Sequence, residues 1–507
     1  MVSFANIVPA DPLNLDNSED KQRDEGRLED TDLDLKNVPR LTPEQERKLW
    51  RKIDMRLIPV LSLMYLLAYL DRANIGNAKL EGLITQLDLT GNKYNIALTM
   101  FFIPYCLCEP ASNLALRAFR PSRWLPGINL AWGIVMVLMS LVKTYPQLVG
   151  VRICLGVTEA GLFPGVVYYL TLWYPRYMLQ YRIALFFGAA TVAGAFSGLL
   201  AFAIGHMGGI AGLESWSWIF LLEGLLTIVV AIFSFFWLVD FPDTAMFLTP
   251  EERAFVIWKK KYDISSVGEE EKFAVRYVWA AFADWQVWIL ILVNLSMVVP
   301  LTGITLFLPT IINSFGYSTP ISQLLTIPPY VAAATTLLFF AHYSDKLKIR
   351  SPFILAGFMM CLIGLSINIS TAPNSVKYFG TFFIVIGSYA SVPSIISWLG
   401  NNLSGQYKRG IGIALQIGIA NLGGAISSVI YRSQDSPRFI LGHAVELMFV
   451  GIGLTFLPIA VFLYKRINAQ RDAAERLALE SGKKICIYSD QELRELGDRA
   501  PDFRYTL

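Results

Sequence analysis

The sequence predicts an all-α membrane protein with twelve transmembrane helices in two pseudo-symmetric six-helix halves. Three observations carry that expectation. Only 16% of the 507 residues are charged and 54% are hydrophobic, where soluble proteins carry about 25% charged residues. Apolar runs recur from residue 57 to residue 464, each near the roughly 20 residues needed to cross hydrocarbon. One longer polar stretch, 240–284, divides those runs six and six.

In chain order, residues 1–56 form an N-terminal tail. Up to residue 46 it is polar, acid-rich and without apolar periodicity, and is expected to be disordered. Within it, Thr42-Pro43-Glu44-Gln45-Glu46 reads as a helix start, with Thr42 as N-cap and Pro43 in the first turn. Arg47, Lys48, Arg51, Lys52 and Arg56 then set a basic cluster against the first span. The spans are expected at 57–78, 94–116, 124–142, 148–172, 183–205 and 216–239, forming the half 57–239. The second half, 285–464, holds spans at 285–312, 321–343, 352–371, 377–401, 410–431 and 441–464. The loop 240–284 carries Trp258-Lys259-Lys260-Lys261 and Glu269-Glu270-Glu271, and reads as a solvated linker with an amphipathic helix. Residues 465–507 are a charged tail without a span. Two six-helix halves with a site at their interface near the midplane describe the major facilitator architecture.

Lys and Arg in short loops set orientation. Arg117, Arg120, Arg123, Arg176, Arg182, Lys346, Lys348, Arg350, Lys408 and Arg409 fall on the side of the two tails. The opposite loops carry few, so both termini are expected in the cytosol. The five cysteines are scattered and give no disulfide framework. Cys106-x-Cys108 places its thiols on different helix faces, and His206, His342 and His443 lie far apart, so no metal site is expected. The net charge of +3 is too small to imply a nucleic-acid partner. No Walker loop or nucleophile elbow is present, which points away from an enzyme and from any cofactor.

What marks this chain is charge inside apolar runs: Asp71, Arg72, Glu109, Arg152, Glu159, Glu223 and Glu446. Each costs about 2.5–3.5 kcal/mol on insertion scales, so such residues are working-site candidates. All but Glu446 fall in the first half, which leaves the second half to supply neutral contacts. Arg152 and Glu159 are seven apart, on one helix face and roughly 10 Å apart along the axis. Counting depth along antiparallel spans puts Asp71 between them, so Asp71, Arg72, Arg152 and Glu159 can share one cavity.

Tyr69-Leu70-Asp71-Arg72-Ala73-Asn74-Ile75-Gly76-Asn77-Ala78 resembles the first-helix signature of the fungal anion:cation symporter family, the allantoate, nicotinate, biotin and pantothenate permeases. Arg120-Pro121-Ser122-Arg123-Trp124, Trp218 through Gly224 and Tyr431 through His443 extend the resemblance over roughly residues 45–465. The family is similar in turn to bacterial sugar-acid:proton symporters and vesicular organic-anion carriers, which share the Asp-Arg pair and the Arg-x6-Glu of the fourth helix. The resemblance implies Asp71 and Glu159 as proton-binding carboxylates, and Arg72 and Arg152 as their partners or the anion contact. It implies Tyr69, Tyr105 and Asn421 as pocket residues. Ser344-Asp345-Lys346 with Arg350 resembles the superfamily's cytoplasmic gate motif. Leu116-Arg117 stands where the first-half gate has its acid-base pair, with Glu109 as a candidate substitute. Glu223 is similar to a position usually beside an Arg, here replaced by Ser217.

An Arg in low dielectric is a natural bidentate partner for a carboxylate. The coupling expected from the residues is that ionised Asp71 holds a guanidinium, and protonation frees that fork for the substrate. From the second half, Ser391, Ser394, Trp398 and Asn401 share one face of the tenth helix, with Trp398 suited to stacking on a flat ring. Gly194-x3-Gly198 reads as a close-packing motif. The function expected is proton-coupled import of a small organic monocarboxylate, nicotinate first, by a monomer in the plasma membrane. The alternatives are an exporter or uniporter of an anionic metabolite, and a nutrient-sensing receptor.

Overall fold

The computed structural model describes residues 41–261, 275–480, 492 and 496–507. The tail before residue 41, the acid run Glu269–Glu271 and residues 481–491 lie outside the described residues. Every regular element described is a helix. Ten of these helical segments are long and apolar enough to cross a membrane by length and composition. The expected spans 94–116 and 124–142 coincide with helices Lys93–Ala118 and Pro121–Met139, which are not among those ten. Each expected span, first to twelfth in chain order, falls on a helix.

The first span is longer than expected. Thr42 caps it as anticipated, with the Gln45 amide on its hydroxyl and the Gln45 side chain on its own N–H. The helix then runs unbroken from Pro43 to Ala78, so the basic cluster and the span form one rod. A π-helical turn follows at Lys79–Leu83, where Gly82 takes φ 98°. The fourth span is two helices, Tyr145–Glu159 and Leu162–Trp173, and Glu159 is the last residue before the break.

Within the first half, the first span packs on the fifth (Arg176–Ile204) and sixth (Ser215–Trp237). Within the second, the seventh (Trp285–Ser314) packs on the tenth (Asn374–Asn402), eleventh (Gln406–Ile430) and twelfth (Ile440–Glu480). The halves meet along seams of first on seventh, second on eleventh, and fifth on both eighth (Ile327–Leu347) and tenth. Lipid offers no hydrophobic drive for helix pairing, so close backbone approach matters. Gly76 sits at the first seam, where a Cβ would come within 2.6 Å of the Leu306 carbonyl oxygen. Gly194 and Gly198 lie at the fifth–eighth seam, against Tyr330 and against Gln323 and Thr326, so the close-packing motif joins the halves.

The chain's last described segment returns to the second half. Asp498 pairs with Lys408 at 2.6 Å, and Lys408 also holds Asp284 at 2.6 Å. The Thr506 carbonyl oxygen accepts from Trp398 Nε1 at 2.9 Å and from Asn402 at 3.1 Å. Arg471 donates to the Phe503 and Asp498 carbonyls. Phe503 and Tyr505 are buried in this contact.

Candidate functional site

A cavity lies between the halves. From the first half it is lined by Tyr65, Tyr69 and Arg72 of the first span, Phe102 and Tyr105 of the second, and Phe163 and Phe187. The positions 65, 69 and 72 are spaced i, i+4, i+7, one helix face. From the second half come Asn294, Val298, Leu301, Thr302, Thr305 and Leu306 of the seventh span, Val392 and Ile396 of the tenth, and Ile417, Ala420 and Asn421 of the eleventh. Arg72 is the one charged residue among these lining groups. Its guanidinium carbon lies 5.1 Å from the Tyr105 ring centre, 5.3 Å from Phe101 and 5.9 Å from Tyr69. The aromatic faces favour the cation and exclude water around it.

Arg72 is tied to Glu159 by a direct ion pair through Nη2 and Oε1. Its Nε is buried with no partner, and its side chain is 14% exposed against 2% for Glu159. Asp71 points elsewhere, because adjacent helix residues diverge by about 100°. Both Asp71 oxygens are buried without a hydrogen-bond donor, and its polar neighbours are Glu223, Glu159 and the Trp132 indole. Glu223 of the sixth span accepts from Asn74, and Asn77 donates to Asn74 and to Ser197 at 2.7 Å. The first-span signature therefore presents two faces: Tyr65, Tyr69 and Arg72 to the cavity, Asp71 and Asn74 to the sixth span. Arg152 is buried, with Nε and Nη2 unpartnered, within electrostatic reach of Glu159, Asp71 and Tyr94. The expected four-charge grouping is thus joined by Glu223, giving three carboxylates (Asp71, Glu159, Glu223) around two guanidiniums (Arg72, Arg152).

Two polar bridges cross the cavity region between the halves. Tyr69 Oη, Thr305 Oγ1 and Tyr389 Oη form a hydroxyl triangle with sides of 3.2, 2.8 and 3.0 Å. Asn421 Nδ2 donates to Glu109 Oε2 at 3.1 Å. Glu109 is therefore engaged across the second–eleventh seam by a neutral amide rather than standing in for the missing gate acid.

The tenth-span expectation needs correction. Ser391, Ser394, Trp398 and Asn401 do share a face, but all are buried and none lines the cavity. Ser391 bonds the Gly387 carbonyl, and Trp398 packs on Tyr464 and donates to Thr506. The face turned to the cavity carries Val392 and Ile396, so polarity marks the face buried inside the half rather than the cavity wall. The neutral groups that do face the cavity are Asn294, Thr302 and Thr305 of the seventh span. They recur at i, i+8 and i+11 with Val298 and Leu301 between, a helical stripe that the sequence carries without the aromatic residue that marks the tenth span.

The residues of the expected gate motif lie at the tail face. Asp345 Oδ1 pairs with Arg350 Nη1 at 2.6 Å, and Asp345 Oδ2 accepts from the Tyr181 backbone N–H of the fifth span at 2.9 Å. Lys346 is exposed. Arg182 forms a two-pronged pair with Asp54, at 3.0 and 2.9 Å. At the opposite face Gln323 donates to Glu81 at 2.9 Å, and Asn95 donates to the Ser428 and Tyr431 carbonyls at 2.7 and 3.2 Å. Among the described residues no group of three His, Cys, Asp or Glu is arranged to hold a metal ion.

Comparison with known proteins agrees with this architecture. The sequence model of the Major Facilitator Superfamily matches residues 61–428. The MFS-type transporter cnsO of Penicillium expansum is 34% identical over 489 residues, covering 94% of this chain and 93% of that protein. The high-affinity nicotinic acid transporter of Saccharomyces cerevisiae is 30% identical over 475 residues, covering 94% and 88%. Among solved structures, the proton:xylose symporter XylE aligns with a TM-score of 0.60 at 18% identity, covering 80% of this chain and 95% of XylE. An inward-facing bacterial homologue of the human lysosomal transporter Spinster aligns with a TM-score of 0.58 at 15% identity, covering 80% and 96%. At those identities the likeness speaks for the fold.

Proposed function

This chain belongs to the Major Facilitator Superfamily, and on that footing we propose that it imports a small organic monocarboxylate with protons by alternating access. One observation carries the reading: a single guanidinium, Arg72, faces an aromatic-walled cavity, and its one ionic partner is a buried carboxylate, Glu159. A substrate carboxylate competes with Glu159 for the Arg72 fork. Protonating Glu159 releases the fork, and deprotonating it expels the anion. Asp71 is the second coupling carboxylate. With Glu109 also in electrostatic reach of Arg72, the buried carboxylates outnumber the two guanidiniums, and bound protons remove that excess in a low-dielectric setting. The coupling thus runs through Glu159 at Arg72, with Asp71 and Glu223 behind it, rather than through an Asp71–Arg72 pair.

Tyr65, Tyr69, Tyr105 and Phe163 give the cavity aromatic walls suited to a flat ring, while Asn294, Thr302 and Asn421 offer neutral hydrogen-bonding groups opposite. Nicotinate is the first candidate; the nicotinic acid relative supports it. The resemblance to fungal anion:cation symporters supports the same class. The basic loops support a cytosolic tail face, as an importer of the plasma membrane would have. Asp345 and Arg350 then close the cytosolic side against the fifth span.

The test is uptake of radiolabelled organic acids, nicotinate first, into proteoliposomes with and without an inward proton gradient. Accumulation of one acid that follows the gradient is expected. Uptake of every acid at gradient-independent rates overturns proton coupling.

A further inference from the structure

The twelfth span holds a buried carboxylate that the central site does not use. Glu446 is fully buried, and neither of its oxygens has a hydrogen-bond donor. Its surroundings are drawn from several helices. The seventh span presents Gly303, whose lack of a side chain makes the room: a Cβ there would collide with the Glu446 carboxylate. That span carries no titratable residue. The ninth span presents Cys361, its only titratable group. The end of the eleventh presents Tyr431. One turn before Glu446 on its own helix stands His443, within electrostatic reach of Lys377 on the tenth span.

Tyr431 connects this pocket to the seam between the halves. Its hydroxyl lies 2.9 Å from His443 Nδ1, and Phe307 stacks on its ring at 4.9 Å. Its backbone carbonyl accepts from Asn95 of the second span, in the bridge that joins the halves opposite the tail face. A phenolic hydroxyl has one proton to give. The imidazole and the carboxylate both face it, and in the tautomer with Nδ1 unprotonated its single proton cannot serve both. A neutral carboxylic acid needs no donor, whereas an ionised one buried here requires it.

We infer that Glu446 is a proton-binding site that governs closure of the two halves on the face opposite the tails. With the proton bound, Tyr431 stays on His443 and its backbone stays latched to Asn95. When the O–H bond breaks and the proton leaves to water on that face, the carboxylate takes the Tyr431 hydroxyl, the ring leaves His443, and the Asn95 latch loosens. The site rests on the alternating-access reading above but not on the identity of the solute.

The experiment uses the full chain in lipid nanodiscs with Cys106, Cys108, Cys154 and Cys486 replaced by Ser, and the fully buried Cys361 left in place. Spin labels at Thr90→Cys and Gln434→Cys, both exposed on that face, report the opening by pulsed EPR from about pH 3.5 to about pH 9, a range that spans ordinary carboxyl and imidazole titration. The parent is expected to shift from a short to a longer distance as pH rises. Glu446→Gln is expected to keep the short distance throughout. Tyr431→Phe, which retains the carboxyl but removes the hydroxyl, is expected to lose the pH response as well. A parent-like shift in either variant, or a parent that ignores pH, overturns the site; a retained shift in Glu446→Gln would assign the response to His443 or to the first-half carboxylates instead. Absence of nicotinate uptake alongside the expected distance changes sinks only the solute assignment.

Discussion

The two halves handle charge in opposite ways. The first half buries its ionic groups within the spans: Asp71, Arg72, Arg152, Glu159 and Glu223 are each 3% exposed or less, except Arg72, whose side chain reaches the cavity at 14%. The second half keeps its ion pairs at the tail face, in Lys408 with Asp284 and Asp498 and in Arg350 with Asp345. Its cavity wall is neutral, built from Asn294, Thr302, Thr305 and Asn421 with aliphatic residues between. Burying charge is expensive, so a carrier concentrates it where ions and protons are exchanged. The other wall then recognises the solute by shape and hydrogen bonds, which is where differences in substrate choice belong.

That contrast can be broken at its strongest point. Arg72→Leu and Glu159→Leu should each lower stability by about 3–5 kcal/mol, since either leaves a buried charge unpaired, while the double substitution should recover most of the loss. Thermal unfolding in detergent measures this; a double variant no more stable than the singles would mean the pair does not act as a unit. Asp71→Asn comes next. It should abolish gradient-driven accumulation while sparing solute exchange, and wild-type accumulation in that variant would remove Asp71 from the coupling machinery. Arg72→Lys should weaken anion binding about tenfold, roughly 1.4 kcal/mol, because an ammonium lacks the planar fork. Unchanged affinity would make Arg72 a partner of Glu159 alone.

The smallest effects are expected on the neutral side. Thr305→Val breaks the hydroxyl triangle with Tyr69 and Tyr389 and should cost about 1 kcal/mol. Trp398→Phe removes the bond to Thr506 and should expose the 497–507 segment to protease without changing solute affinity. An affinity change there would return Trp398 to the cavity wall.

Charged positions were the most legible part of the site. Asp71, Arg72, Glu109, Arg152, Glu159 and Glu223 stand out because each violates the apolar pattern around it, and six violations in one half need no structure to be noticed. The helix start at Thr42-Pro43 and the close-packing glycines 194 and 198 were legible for the same kind of local reason. The neutral wall was not. Ser391, Ser394 and Trp398 form as good a polar stripe as Asn294, Thr302 and Thr305, and periodicity alone does not say which stripe faces a cavity and which faces a neighbouring helix. The partner of Trp398 lies 108 residues later in the chain, beyond any local pattern.

By itself, then, the sequence determined that the chain is a helical membrane protein with its ionic groups gathered in the first half. Hydropathy and the cost of buried charge are local quantities that read out residue by residue. Tertiary structure alone decided who pairs with whom: Glu159 rather than Asp71 on Arg72, Asn421 on Glu109, Asn74 on Glu223. Pairing depends on helix rotation and on which seams close. A difference of one residue, about 100° around a helix, separates Arg72 at the cavity from Asp71 behind it.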